Sequence, residues 1–76
     1  MITPDKKEDY CSRLLFILDT KRAQGKHSHT ELAIEMHHNV AKYIKDFFKD
    51  NPYYQVEVNN ACSNCKSKWD IFVFIR

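Results

Sequence analysis

The 76-residue chain has the length and composition of one small folded domain. Its hydrophobic fraction of 43% and aromatic fraction of 13% exclude a disordered chain, and its net charge of +2 makes no case for nucleic-acid or membrane binding by itself. A single glycine excludes glycine-rich phosphate loops, and no apolar run approaches the ~18 residues of a membrane span.

The first predicted element is a helix over about residues 4–24. Thr3-Pro4-Asp5 is a typical helix start, because it combines a capping hydroxyl, a proline in the first turn and an acid near the positive end of the helix dipole. Gly25 suits the position just past the helix end. Phe16 lies off the apolar stripe, so it is either covered by another part of the fold or exposed as a contact for a partner. The stripe itself consists of Tyr10, Cys11, Leu14, Ile17 and Leu18.

The second predicted element is a long amphipathic helix over about residues 28–50. Ser28-His29-Thr30-Glu31 has the form of a capping box, and Asn51-Pro52 predicts the end of the helix. His37 is the one polar residue at the edge of the apolar stripe. Helical spacing places the following residues on that stripe: Ala33, Met36, Val40, Tyr43, Ile44 and Phe47.

The rest of the chain predicts a β-hairpin over about residues 53–59 and 69–75, because the apolar period changes there to two. The last strand is apolar on both faces, so it requires helices on both sides or a third strand from another chain. The predicted fold is therefore a single α+β domain of order ααββ. Its two antiparallel helices precede the hairpin, and the sheet packs on the second helix.

Cys62 and Cys65 form a CxxC pair in the loop between the two predicted strands. Two thiolates at this spacing can hold one edge of a tetrahedral zinc site. The length of the preceding strand places this loop at the level of His37, which gives a third ligand, with Cys11 or His29 as the fourth. Zinc is the only cofactor that the sequence suggests. The alternative is that the cysteines are reduced surface thiols and that His37 is a partly buried histidine bonded to the backbone.

Five basic residues are predicted to share one end of the molecule and to offer contacts to phosphate. They are Lys21, Arg22, Lys26, Lys66 and Lys68. With zinc in the loop, this end defines an alternative function, a zinc-stabilised nucleic-acid-binding module. Trp69 beside the basic residues could stack on a base.

Residues 31–73 also show a resemblance to a family. A helix followed by a hairpin with Asp70 before an apolar run resembles the opening of the restriction-endonuclease-like nuclease core. The resemblance implies metal-binding roles for Glu35 and Asp70. Since no ExK motif follows, it implies an inactive remnant of such a nuclease.

The leading prediction is a small non-enzymatic protein that docks on a protein or a protein–nucleic-acid complex, with no membrane association. Such a protein could act as an inhibitor or as an accessory protein of a phage or mobile element, which the glycine-poor, lysine- and asparagine-rich composition resembles. A homo-oligomer through the C-terminal strand is a further expectation. The odd number of cysteines and the polar N-terminus predict a reducing cytoplasm, that of the host if the protein is viral. The residues predicted to contact the partner are Phe16, Tyr53, Phe72 and Phe74.

Overall fold

The computed structural model describes residues 2–61, 64 and 67–76, and it shows a three-stranded antiparallel sheet with two helices packed on it. A one-turn 3-10 helix at Pro4–Lys6 precedes the regular elements. These are α1 Lys7–Ala23, β1 Ser28–Glu35, α2 His38–Phe48, β2 Tyr54–Asn60 and β3 Lys68–Ile75. The strand order is β1-β3-β2, so the last strand lies in the centre of the sheet.

The predicted order ααββ is wrong, because residues 28–35 form strand β1 and not the first half of a 28–50 helix. β1 pairs antiparallel with β3, from Ser28 opposite Phe74 to Glu35 opposite Lys68. β2 also pairs antiparallel with β3, close to the predicted bounds of the hairpin. The third strand that the apolar β3 requires therefore comes from the same chain.

The predicted capping role of Ser28 is wrong, and the observed cap of α2 lies nine residues later in the chain. Ser28 begins a strand, and the cap of α2 is His37, whose Nδ1 accepts a hydrogen bond from the backbone N–H of Asn39 at 3.2 Å. Gly25 takes a positive φ of 78° just beyond α1, which is the predicted role of this glycine.

The hydrophobic core lies between the helices and one face of the sheet, which we call the inner face. α1 crosses this face, since Tyr10 near its start donates a hydrogen bond to Glu31 of β1 and Asp19 near its end accepts one from Tyr54 of β2. The buried core residues are Cys11, Leu14, Leu18, Met36, Val40, Ala41, Ile44, Phe48, Tyr54, Val58, Ile71, Val73 and Ile75. Among the described residues, no helix is long and apolar enough to cross a membrane.

A β-bulge interrupts β1 where Leu32 and Ala33 together lie opposite Asp70. Ala33 has a φ of 53°, which is uncommon for a residue with a Cβ, and its backbone N–H donates to Asp70 Oδ1 at 2.9 Å. The extra residue reverses the alternation of the strand. Leu32 therefore points to the outer face of the sheet, away from the helices, whereas Ile34 packs against the core.

Candidate functional site

The outer face of the sheet carries three neighbouring apolar side chains, which we call the outer-face patch: Leu32, Phe72 and Phe74. Leu32 is 62% exposed and Phe74 is 51% exposed, whereas Phe72 is partly buried. Phe72 lies opposite Thr30, which is two residues before Leu32 on the same face of β1. Such diagonal neighbours are about 7–8 Å apart, within reach of aromatic side chains. The patch is therefore a continuous apolar surface.

Acidic side chains border this patch. Glu57 lies directly opposite Phe72 on β2, and Asp70 lies two residues before Phe72 on β3. Glu35 and Lys68 form an ion pair at 3.7 Å at the far end of the same face, and this pair adds no net charge. The two charges that lie next to Phe72 on this face, those of Glu57 and Asp70, are therefore both negative.

A polar cluster lies on the inner face, between α1 and β1. Glu31 Oε2 accepts a hydrogen bond from the Tyr10 hydroxyl at 3.2 Å and lies 3.2 Å from His29 Nε2. Burial, together with the nearby charge of Glu31, raises the pKa of Tyr10, so this hydroxyl stays protonated and acts as a donor. His29 Nδ1 is buried and has no hydrogen-bond partner in the described part of the chain. The cluster ties α1 to the edge strand.

The structure places two of the predicted zinc ligands in different surroundings. His37 lies beside the base of the loop, since the backbone N–H of the preceding Met36 donates to Ser67 O at 2.8 Å. His29 lies opposite Val73, towards the other end of the sheet, so the structure does not bring it to the loop. Cys62 and Cys65 lie outside the described residues. The zinc site stays a prediction, and residues 2–61, 64 and 67–76 alone contain no group of three potential ligands.

Cys11, another predicted zinc ligand, is fully buried in the hydrophobic core. Burial raises the pKa of the Cys11 thiol from 9.0 to about 11, because the core disfavours the thiolate. Its surroundings are apolar core residues, and no group of three potential ligands lies within the part of the chain that the structure describes. Its position on α1 is that of an ordinary core residue.

We expect the Cys11 thiol to make folding stability pH-dependent just above pH 9. The thiol should ionise in the unfolded chain before it ionises in the folded protein, whose pKa for this group is about 11. The free energy of unfolding should therefore fall as the pH rises, with a slope of up to about 1.4 kcal/mol per pH unit. Below the unfolded pKa this contribution is constant.

Urea unfolding under reducing conditions at about pH 8, 9 and 10 measures this slope. The pH is not raised further, because tyrosines in the unfolded chain titrate at about pH 10 and above. The control is Cys11→Ala, which removes the titrating group and should lower the slope between the upper two pH values. Identical slopes in the two proteins would contradict the assignment.

The predicted basic contacts that the structure describes do not share one end of the molecule. Lys26 precedes β1 at the end where Ser28 lies opposite Phe74, whereas Lys68 lies opposite Glu35 at the other end. Arg22 is engaged locally, with its guanidinium 3.8 Å from the centroid of the Tyr53 ring. Lys66 lies outside the described residues. Of the five predicted contacts, Lys21, Arg22 and Lys26 remain neighbours at the end of α1 and the turn that follows it.

The geometry also removes the basis for the resemblance to a nuclease core. Glu35 lies on strand β1 and not on a helix, and its carboxylate pairs with Lys68. Asp70 accepts the hydrogen bond from the N–H of Ala33 that holds the bulge. The two acids therefore have structural partners.

The predicted partner-binding residues fall on three separate surfaces. Phe72 and Phe74 belong to the outer-face patch. Phe16 is 73% exposed on α1 and forms a shallow apolar depression with Ile17. Tyr53 lies under Arg22 just before β2. Only the first surface joins exposed apolar residues from two different strands.

Sequence reasoning missed Leu32, because it assigned this residue to a helix. The signal that could have identified it was the apolar character of both faces of β3. A central strand needs a neighbour on each side. The segment from Thr30 to Leu32 precedes the hairpin and contains β-branched and aliphatic residues next to a turn, so it could have been identified as that neighbour.

No protein-family model matches the chain, and neither a curated protein nor a solved structure shows significant similarity to it.

Proposed function

We propose that the protein is a small non-enzymatic binding module whose outer-face patch docks on a protein partner. The observation that carries this proposal is the exposure of Phe74 and Leu32 beside Phe72 on one face of the sheet. Exposed apolar patches on small proteins are typical of interaction sites, and phenylalanine is enriched at the centre of interfaces.

The charges of the outer face favour a protein over a nucleic acid or a second copy as the occupant. Glu57 and Asp70 would repel phosphate groups, and two copies placed face to face would bring their acids together. A protein with an apolar patch surrounded by lysine or arginine complements the face. By covering such a patch, this module would act as an inhibitor or accessory subunit.

A cytoplasmic setting belongs to the same proposal. Its support is the free Cys11 thiol in the core and the odd cysteine count of the sequence, both of which suit a reducing compartment. The last strand, β3, is bonded to a neighbour on each side, so self-association through it would have to use its outer side chains.

Photo-crosslinking in the cells that contain the protein tests the proposal. We expect p-benzoylphenylalanine at position 74 to give one major adduct with another protein, and the same group at position 16, on α1, to give none. The adduct identifies the partner, which is then purified. Its affinity should fall by about tenfold or more for Phe74→Glu, whereas the matched variant Phe16→Glu should bind as the wild type does.

Both substitutions are at exposed positions, so circular dichroism should show folded proteins in each case. Crosslinks from position 16 alone, an adduct with the mass of two copies, or equal affinities of the two glutamate variants would contradict the proposal.

A further inference from the structure

The two edges of the sheet differ in how well they are protected against another strand. The edge of β1 is interrupted by the bulge at Ala33, and at its end the N–H of Ile2 donates to Glu35 O at 2.9 Å. β2 pairs with β3 in unbroken register over its whole length and contains neither proline nor lysine. Bulges, prolines and lysines are the features that protect edges. β2 therefore presents the unprotected edge.

The phase of the ladder shows which backbone groups of β2 point outward. The N–H groups of Arg76 and Ala61 bond to Tyr53 and Lys68 respectively, and antiparallel bonding alternates along the strand. Gln55, Glu57 and Asn59 consequently share their backbone bonds with β3. The N–H and C=O groups of Val56 and Val58 face away from the sheet, and no other described residue bonds to them.

A groove runs beside this free edge, and its charged side chains are all basic. It lies between the end of α2 and the start of β2, and Lys45, Lys49 and Arg76 line it together with Phe48 and Tyr54. None of the three cations forms an ion pair with a described acid. The nearby acids Asp46 and Asp50 do not line the groove, and Glu57 lies on the outer side of β2.

We infer that the free edge of β2 binds an extended acidic segment of a protein partner, which adds to the sheet as a fourth strand. Val56 and Val58 supply the backbone hydrogen bonds, and alternate side chains of the incoming strand point towards Lys45 and Lys49. Acidic residues at every second position of the segment complement these cations. The site is separate from the outer-face patch and does not depend on it.

A second copy of this chain is a poorer occupant of the same edge. Its β2 would place the uncharged side chains of Tyr54, Val56 and Val58 beside the groove, whereas the basic side chains of the groove are complemented by acidic ones. Pairing two β2 edges would also bring Lys45 and Lys49 of both copies near one another. Like charges at an interface select against the wrong partner.

Three synthetic peptides of about eight residues, the length of an ordinary strand, test the inference. The first alternates glutamate with threonine and valine, the second has lysine in place of glutamate, and the third keeps the glutamates but has proline between them. We expect the first to bind, and the second and third to bind at least about tenfold more weakly in fluorescence anisotropy. On binding, the amide protons of Val56 and Val58 should exchange more slowly with solvent.

The double variant Lys45→Glu/Lys49→Glu should weaken binding of the first peptide by at least about tenfold. The control is Lys26→Glu/Lys42→Glu, which has the same charge change at exposed positions outside the groove and should bind as the wild type does. All four substituted side chains are exposed, and circular dichroism confirms folding.

Equal binding of the proline peptide would show charge attraction without strand addition and would overturn the inference. The absence of binding, protection of Ser28 and Thr30 in place of β2, or a dimer that forms without peptide would also overturn it. Phe74→Glu should leave peptide binding unchanged, so this result is independent of the function proposed for the outer-face patch.

Discussion

Replacing Ile71 by alanine is expected to lower the free energy of unfolding by about 2–5 kcal/mol. Ile71 is fully buried on the central strand, between Glu31 of β1 and Val58 of β2, and its truncation leaves a cavity in the hydrophobic core. A domain of this size has a total stability of only about 4–11 kcal/mol, so this loss is a large fraction of the total.

The matched control is Ile17→Ala, which removes the same atoms from a side chain that is 38% exposed on α1. It should cost only about 1 kcal/mol, because over a third of this residue is in contact with water and alanine is a better helix former than isoleucine. Urea unfolding at pH 7 measures both variants. Similar losses at positions 17 and 71 would contradict the placement of β3 at the centre of the sheet.

A second large decrease in the free energy of unfolding is expected when proline replaces His29. Proline in place of Thr30 is the comparison. The bonding phase of β1 follows from the N–H of Ile75, which donates to His27 O. His29 therefore shares its backbone hydrogen bonds with Val73, whereas the N–H of Thr30 faces the free edge. His29→Pro breaks a bond of the ladder and leaves the carbonyl of Val73 without its donor.

After correction for the side chains with His29→Ala and Thr30→Ala, His29→Pro should cost about 1–3 kcal/mol more than Thr30→Pro. Proline is tolerated on an edge strand where its missing N–H faces solvent. In a helix capped by Ser28, position 29 would be the first helical residue, where proline is tolerated, so His29→Pro would cost no more than Thr30→Pro. Equal losses in thermal unfolding experiments would therefore contradict the strand.

The first helix and the strand pair β2–β3 follow from local signals in the sequence. A proline-containing helix start, a helical stripe and Gly25 define α1, and the change of period after Pro52 defines β2. Residues 28–35 do not follow in this way. The inner positions of β1 are His29 and Glu31, which are polar because they bond to each other and to Tyr10. An alternating apolar pattern is therefore missing.

The bulge makes the strand still harder to recognise in the sequence, because it reverses the alternation of inner and outer side chains between Leu32 and Ile34. The resulting spacing of Ala33 and Met36 resembles a helical stripe. The apolar character of both faces of β3 did indicate either a central strand or a covered second face, and the structure shows the central strand. Sequence alone does not say whether the second neighbour is a helix, another chain or β1.

The wrong assignment of residues 28–35 to a helix explains which parts of the candidate site the sequence predicts and which it does not. Phe72 and Phe74 were identified from strand periodicity, which does not depend on the rest of the fold. The prediction that Lys68 lies near Lys26 rests on the direction of the hairpin strands beside a 28–50 helix. Residues 28–35 would cover only about 12 Å as a helix, but they cover about 26 Å as a strand and so separate the two lysines. The groove beside β2 depends on how α2 packs, which no local pattern predicts.

The central position of β3 determines the order in which this protein can fold. β1 and β2 each pair with β3 and not with one another, so neither strand has a partner until residues 68–75 join the sheet. During synthesis, neither β1 nor β2 can pair in the sheet until β3, which follows both of them in the chain, has been made. Contacts between β1 and β3 span about forty residues, which slows folding compared with a helical bundle. Before β3 joins the sheet, the edges of β1 and β2 are unpaired, and unpaired strand edges make the protein most prone to aggregation at this stage.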